Sequence, residues 1–321
     1  MKVLVTGAAG FIGGHLVDRL LGEGHTVVGT DNLSRGTMAS LADAVDHPGF
    51  RFVRADLGAI DADIAAVVAE GPFDRVWHLA ANSDIGAGVA DDAIDLRDTF
   101  LTTRSALRIA RETGARGLVL ASTSAVYGES DEVLDEAFGP LLPISNYGAM
   151  KLAAEAAVSA AAETFLETAW ILRFPNVVGS RASHGVIRDL SIKLTHDRSR
   201  LPVLGDGSQK KPYVHVAELI DAMQFIVGQD ATGRQLYNIG PEDDGVTVAD
   251  LVADLVAAVG ADTRVEFAGG DRGWVGDVPR FRYSVAKLRA LGWRPALSSR
   301  EAVGRAIDAA VREWGLLGSS S

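Results

Sequence analysis

Residues 2–13 read Lys2-Val3-Leu4-Val5-Thr6-Gly7-Ala8-Ala9-Gly10-Phe11-Ile12-Gly13. A short run of strand character passes directly into a G-x-x-G-x-x-G turn. The turn opens a helical pattern over 11–22, with Ile12, Leu16, Leu20 and Leu21 on one side. Such a turn lets the chain reverse tightly, lets its backbone approach a diphosphate, and lets the helix pack close to the strand; each demand removes a side chain. Glycine turns between a strand and a helix also serve purely structural ends. Asp31 narrows the choice. It ends the next apolar run, where a carboxylate can accept hydrogen bonds from a ribose diol and repels a 2′-phosphate. The pattern predicts a dinucleotide site that prefers NAD to NADP. Arg35, close behind, is a group that could accommodate the extra phosphate.

Working outward, strands are predicted at 2–6, 26–30, 51–54, 75–79, 117–122 and 168–173. Helices are predicted at 11–22, 98–113 and 147–164. Continuous apolar runs alternating with amphipathic helices indicate a parallel sheet covered on both faces, a doubly wound α/β fold of the Rossmann type. Beyond about 176 glycines and turns become frequent, as in Leu204-Gly205-Asp206-Gly207-Ser208, with helical patterns at 247–259 and 299–314. The expected organisation is a dinucleotide-binding domain over 1–175, a smaller substrate lobe over 176–314 interleaved with the main sheet, and a tail over 315–321. No internal repeat is evident.

The chain has 321 residues, a formal net charge of −11 and no cysteine. The acidic balance disfavours nucleic-acid partners, because it repels phosphate backbones. No stretch approaches the ~18 apolar residues of a membrane span, and the N-terminus lacks the pattern of a secretory signal, so a cytoplasmic location is expected. His184 and His215 have no partners at metal-ligand spacing, and no metal site is predicted. His78 reads as a structural histidine at a strand end.

Chemistry is suggested further on. Tyr147 and Lys151 share a helix face at i and i+4, where a lysine would lower the phenol pKa and make Tyr147 a usable base. The strand at 117–122 runs into Thr123-Ser124-Ala125-Val126-Tyr127-Gly128. Ligands of open parallel sheets bind beyond the carboxyl ends of the strands, so hydroxyls there face the crevice. Asp84 could touch substrate or cap a loop. Arg181 and Arg188 could bind phosphate or a sugar carboxylate, or lie on the solvated surface.

Taken in order, these segments resemble the extended short-chain dehydrogenase/reductase family, in particular its nucleotide-sugar 4-epimerases. The resemblance spans nearly the whole chain. It rests on residues 6–13, Asp31-Asn32-Leu33-Ser34, Asp56-Leu57, His78-Leu79-Ala80-Ala81 and residues 122–128. Tyr147 to Lys151, residues 172–179, Gly205-Asp206-Gly207-Ser208-Gln209, Tyr237-Asn238-Ile239-Gly240 and Leu291-Gly292-Trp293-Arg294-Pro295 complete it. The resemblance implies that Gly7, Gly10, Phe11, Ile12, Gly13, Asp31, Asn32, Leu33 and Ser34 bind NAD. It further implies that Asp56 and Leu57 flank the adenine, that Leu79, Ala80 and Ala81 line the cofactor, and that Lys151 holds ribose hydroxyls while tuning Tyr147. Thr123 takes the place of the family's catalytic Ser/Thr and would bond the substrate 4-oxygen. Asn176, Lys211 and Arg272 would hold the diphosphate end of a UDP-sugar, and a homodimer is expected.

The chain departs from the family pattern in places. Thr99 stands where an asparagine is usual, Lys211 replaces an arginine, and Arg272 is displaced within Arg272-Gly273-Trp274-Val275-Gly276-Asp277. Members that dehydrate carry an Asp-Glu pair after the catalytic threonine; here those positions are Ser124 and Ala125. The expected reaction is C4 inversion through a 4-keto intermediate. Another reaction of the family on a nucleotide sugar (dehydration, decarboxylation or reduction) and non-catalytic NAD binding are the alternatives.

Overall fold

The structure is a computed structural model that describes residues 1–58, 61–260, 262–270, 278 and 281–316. The chain divides into two compact units. The first comprises Met1–Val126, Ser145–Arg173 and Ile220–Tyr237; the second comprises Tyr127–Ile144, Phe174–Leu219 and Asn238–Ser321.

The sheet is formed by β1 (Lys2–Thr6), β2 (Thr26–Asp31), β3 (Phe50–Arg54), β4 (Arg75–His78), β5 (Gly117–Ala121), β6 (Thr168–Arg173) and β7 (Gly233–Asn238). Their spatial order is β7-β6-β5-β4-β1-β2-β3, and β1 to β6 pair in parallel. The apolar runs are continuous because both faces are covered. Along β1, Val3, Leu4 and Val5 are all buried, although successive side chains point to opposite faces. One face joins Leu4, Val28, Val76, Leu118 and Ile171 to the helices Asp61–Val68, Thr102–Thr113 and Asn146–Ala162 through Ile64, Ile109 and Val158. The Phe11–Gly22 helix packs against β1 and β2. Chain order runs outward in one direction from β1 and in the other from β4. That reversal opens a crevice beyond their carboxyl ends. It places residues 7–13 beside 79–81.

The strands and helices predicted for this unit are present, and the structure adds to them. The 98–113 pattern opens as a π-helical turn, Leu96–Leu101, before the α-helix Thr102–Thr113. The Val216–Val227 helix was not expected from the sequence. It reads VAELIDAMQFIV, and a nearly continuous apolar run lacks the polar face that periodicity detects.

The second unit has its own core, in which Leu190, Leu194, Leu251, Leu255, Val303 and Ile307 join the helices Val186–His196, Val248–Val259 and Ser299–Glu313. The last helix opens with a reciprocal capping box between Ser298 and Glu301. Short strands pair Asn176–Val178 with Tyr213–His215, in parallel.

Candidate active site

The glycine turn is built as its sequence demands. Gly7 has φ +68°, and a Cβ there would lie 2.8 Å from the Ala80 amide nitrogen. A Cβ at Gly13 would lie 2.0 Å from the Gly7 carbonyl oxygen, so strand and helix can approach only without it. Gly10 caps the Phe11–Gly22 helix without a side-chain bond, which leaves first-turn amides with no side-chain acceptor. Phe11 and Gly13 are buried, whereas Ile12 is half-buried.

Asp31 ends β2, and its carboxylate is anchored on both oxygens. Oδ2 accepts the Ala9 amide at 3.1 Å and Oδ1 accepts the Leu33 amide at 2.8 Å. Burial pushes this carboxyl above the usual range, and the two amides oppose that rise. Leu33 sits in the left-handed region at φ 61°, and Asn32 Oδ1 accepts the Ser34 amide at 2.9 Å. Both bonds hold the turn after β2. Asp56 Oδ1 accepts the Gly58 amide at 2.9 Å. Leu57 is 4% exposed and belongs to the core behind the sheet. Leu79, Ala80 and Ala81 are half-buried beside Gly7. Behind them, His78 bridges Thr6 Oγ1 at 2.7 Å and Thr103 Oγ1 at 3.0 Å.

Thr123, Tyr147 and Lys151 are brought together. Ser145 caps the Asn146–Ala162 helix by accepting the Gly148 amide at 3.1 Å, which fixes the turn carrying Tyr147. Thr123 lies beside the Tyr147 hydroxyl and favours its ionised form. Lys151 Nζ lies 5.9 Å from the centre of the Tyr147 ring and donates to the Ala121 carbonyl at 2.7 Å. The lysine therefore sits over the ring face rather than against the hydroxyl. The phenol does not gain the depression expected from the i, i+4 spacing. Burial, with Asp95 adding to it and Thr123 opposing, pushes Tyr147 up to about 12. Burial lowers Lys151 to about 8, while Glu155 and Asp95 pull it back up.

Three residues around this centre were not foreseen. Glu155 lies one turn beyond Lys151 on the same helix. It accepts Ser122 Oγ at 2.5 Å and forms a two-point pair with Arg173 at 2.8 and 2.6 Å. The repeated i, i+4 spacing from Tyr147 could have signalled it. Asp95 is fully buried; its Oδ1 accepts Asn82 Nδ2 at 2.8 Å and its Oδ2 has no hydrogen-bond partner among the described residues. No spacing links Asn82 to Asp95, because the fold alone joins them.

Asn176 and Lys211 lie in the second unit, where Asn176 pairs with Tyr213, two positions after Lys211. Arg272 lies outside the described residues. Among those described, no group of three or more His, Asp or Glu could hold a metal ion, and no helix is long and apolar enough to cross a membrane.

A sequence model of the NAD dependent epimerase/dehydratase family matches residues 3–240. The UDP-glucose 4-epimerase of Mycolicibacterium smegmatis is 34% identical, over 96% of this chain and 98% of that protein. Among solved structures, a UDP-galactose 4-epimerase is 33% identical with a TM-score of 0.85, covering 98% of this chain and 99% of its own. The UDP-glucose 4-epimerase of Thermus thermophilus, solved with NAD, is 30% identical with a TM-score of 0.85, over 97% and 99%. A dTDP-glucose 4,6-dehydratase from Streptomyces venezuelae is 28% identical with a TM-score of 0.84, over 98% and 97%. The chain therefore belongs to the NAD dependent epimerase/dehydratase family, with NAD as cofactor, and is an enzyme of the nucleotide-sugar epimerase/dehydratase class.

Proposed function

We propose that the chain inverts C4 of a UDP-sugar of the glucose/galactose kind or a related N-acetylated or uronic acid form. The observation that carries this reading is the Thr123–Tyr147–Lys151 cluster followed by Ser124 and Ala125, an acid-base centre for C4 without a neighbouring acid and base for elimination.

The residues fit NAD. The cradle at Gly7 and Gly13 has no room for side chains, and the first-turn amides of the Phe11–Gly22 helix suit a diphosphate. Asp31, fixed by two amides, keeps lone pairs for a ribose diol. When bound, NAD supplies reversible hydride acceptance, which allows C4 to be oxidised and restored.

The chain's own residues handle the proton and the orientation. Tyr147, once its phenol proton has been released to solvent, takes the proton of the 4-hydroxyl as phenolate and later returns it, and Thr123 bonds the same oxygen. Lys151 stays cationic near neutral pH and would hold the ribose hydroxyls of NAD. Ser124 and Ala125 cannot exchange a proton near neutrality, so water is not eliminated across C5 and C6. Asn176 and Lys211 would hold the UDP diphosphate; Lys211 does so as a point charge rather than a fork. The assembly proposed with this activity is a homodimer, to be checked by light scattering.

A UDP-sugar deuterated at C4 should yield its C4 epimer with the label retained at C4 and no net accumulation of NADH. A stable 4-keto-6-deoxy product, or stoichiometric NADH, overturns the epimerase reading and leaves the cofactor site standing.

A further inference from the structure

Two loops close on the glycine turn from opposite sides. The order β4-β1-β2 sets β1 between the strands that carry them. From the β2 side, the Thr37 amide donates to the Ala9 carbonyl at 3.0 Å. A Cβ at Gly36 would lie 2.8 Å from that carbonyl oxygen and 3.0 Å from Asp31 Oδ2, so this loop lies directly against the turn. From the β4 side, Ala80 abuts Gly7. The side chains of the two loops then meet: Arg35 Nη1 donates to Asp84 Oδ2 at 3.1 Å.

The two partners differ in how firmly they are held. Asp84 Oδ1 caps the Ile85–Ala90 helix by accepting the Ala87 amide at 3.0 Å, which leaves Oδ2 for Arg35. The backbone of Asp84 is clamped by buried Asn82, which accepts the Asp84 amide at 2.9 Å and donates to its carbonyl at 2.8 Å. The Ala87 amide, and after it Arg35, hold the Asp84 carboxyl below the usual range. Asp84 is thus a fixed anion, and Arg35 is a long cation drawn to it.

We propose that Asp84 is a cofactor-specificity residue acting through Arg35: by engaging the guanidinium, it withholds from an NADP 2′-phosphate the cation that the loop after β2 carries. The proposal rests on NAD binding at this site and not on the identity of the sugar. Asp31 repels a 2′-phosphate, whereas an arginine nearby can neutralise one. With Arg35 bound to Asp84, that second effect is suppressed and Asp31 decides alone. The pair is half-exposed, so the restraint is modest and the effect should be a few fold rather than orders of magnitude.

Calorimetric titration with NAD and with NADP, on the parent chain and three variants, tests this without any turnover. Asp84→Asn keeps an amide oxygen for the helix cap, since Asn and Asp serve equally well there, and removes the charge. Its NADP affinity relative to NAD should rise roughly two- to fivefold. The gain should vanish in Asp84→Asn/Arg35→Ala, and Arg35→Ala alone should leave the parent ratio unchanged. An unaltered ratio in Asp84→Asn, or a gain that survives without Arg35, overturns the proposal. A parent chain that binds NAD not at all overturns both the proposal and the cofactor assignment beneath it.

Discussion

Tyr147 and Lys151 hold their protons under opposite pressures. Burial makes the phenolate costly and places the phenol at about 12, while the same burial makes the ammonium costly and brings the lysine down to about 8. At neutral pH the pair therefore starts as neutral phenol and cation. The i, i+4 spacing was legible in the sequence, but its electrostatic consequence was not. Whether the ammonium faces the hydroxyl or the ring is set by Ala121, whose carbonyl receives it from a different strand. Tyr147→Phe keeps the packing and removes the hydroxyl. Turnover should fall ~100- to 10,000-fold, the usual range for a lost general base, while NAD affinity in calorimetry stays within a few fold. A variant with near-parental turnover removes Tyr147 from the mechanism. The lysine predicts a pH limit. Its charge is present below about 8 and lost above it, so NAD affinity should weaken as pH rises through that value. The groups facing Lys151 are Tyr147, Glu155, Asp95 and His78. Glu155 is already paired with Arg173, which leaves Asp95 as a carboxylate with no cationic partner of its own among the described residues. Asp95→Asn should accordingly move the limit to lower pH. A limit that stays in place would show that Asp95 does not act on the lysine.

At the scale of elements, the Asn146–Ala162 helix is joined to β5 and β6 by a buried ionic bond. Arg173 ends β6, Ser122 follows β5, and Glu155 receives both, with the Arg173 and Glu155 side chains only 4% and 7% exposed. Replacing Glu155 by Gln leaves a buried guanidinium without its counter-charge, which typically costs about 3–5 kcal/mol. The urea midpoint should drop accordingly, and Glu155→Leu/Arg173→Met should recover most of the loss because apolar pairs of similar volume are well tolerated. A cost below about 1 kcal/mol would mean that water reaches the pair and screens it. Elements themselves were readable where one face is polar or where a run is short and β-branched. The helical pattern read over 299–314 became the helix Ser299–Glu313, and β1, β5 and β6 were readable as unbroken apolar runs. The Asp61–Val68 helix did not, since only Ile64 and Val67 are buried and two positions make no period. Contacts such as Asn82 with Asp95 and Arg35 with Asp84 were likewise unreadable, because each joins segments that become neighbours only through the strand order.

Over the whole molecule, proton binding couples to stability in two opposing ways. With 42 acidic against 31 basic residues, acidification from neutral pH first relieves mutual repulsion, which favours the compact state. His78 acts in the other direction. It is fully buried between Thr6 and Thr103, and burial, with Lys151 adding to it, lowers it to about 3. The unfolded chain protonates this residue near pH ~6.5, whereas the folded chain does not until far lower. Unfolding therefore takes up a proton between those values, and the stability held above pH ~6.5 is lost progressively as pH falls. From pH 7 to pH 5 the loss from this one residue should be about 2 kcal/mol. His78→Gln cannot take up that proton. It should be less stable than the parent at pH 7, having lost part of the bridge between β1, β4 and the Thr102–Thr113 helix, yet its unfolding free energy should fall less steeply on acidification. Urea unfolding of both proteins at pH 7 and pH 5 measures the two slopes, with the general charge effect common to both and cancelling in the difference. Parallel slopes would mean that His78 is protonated in the folded chain at pH 5, and that the Thr6–His78–Thr103 bridge opens to admit the charge.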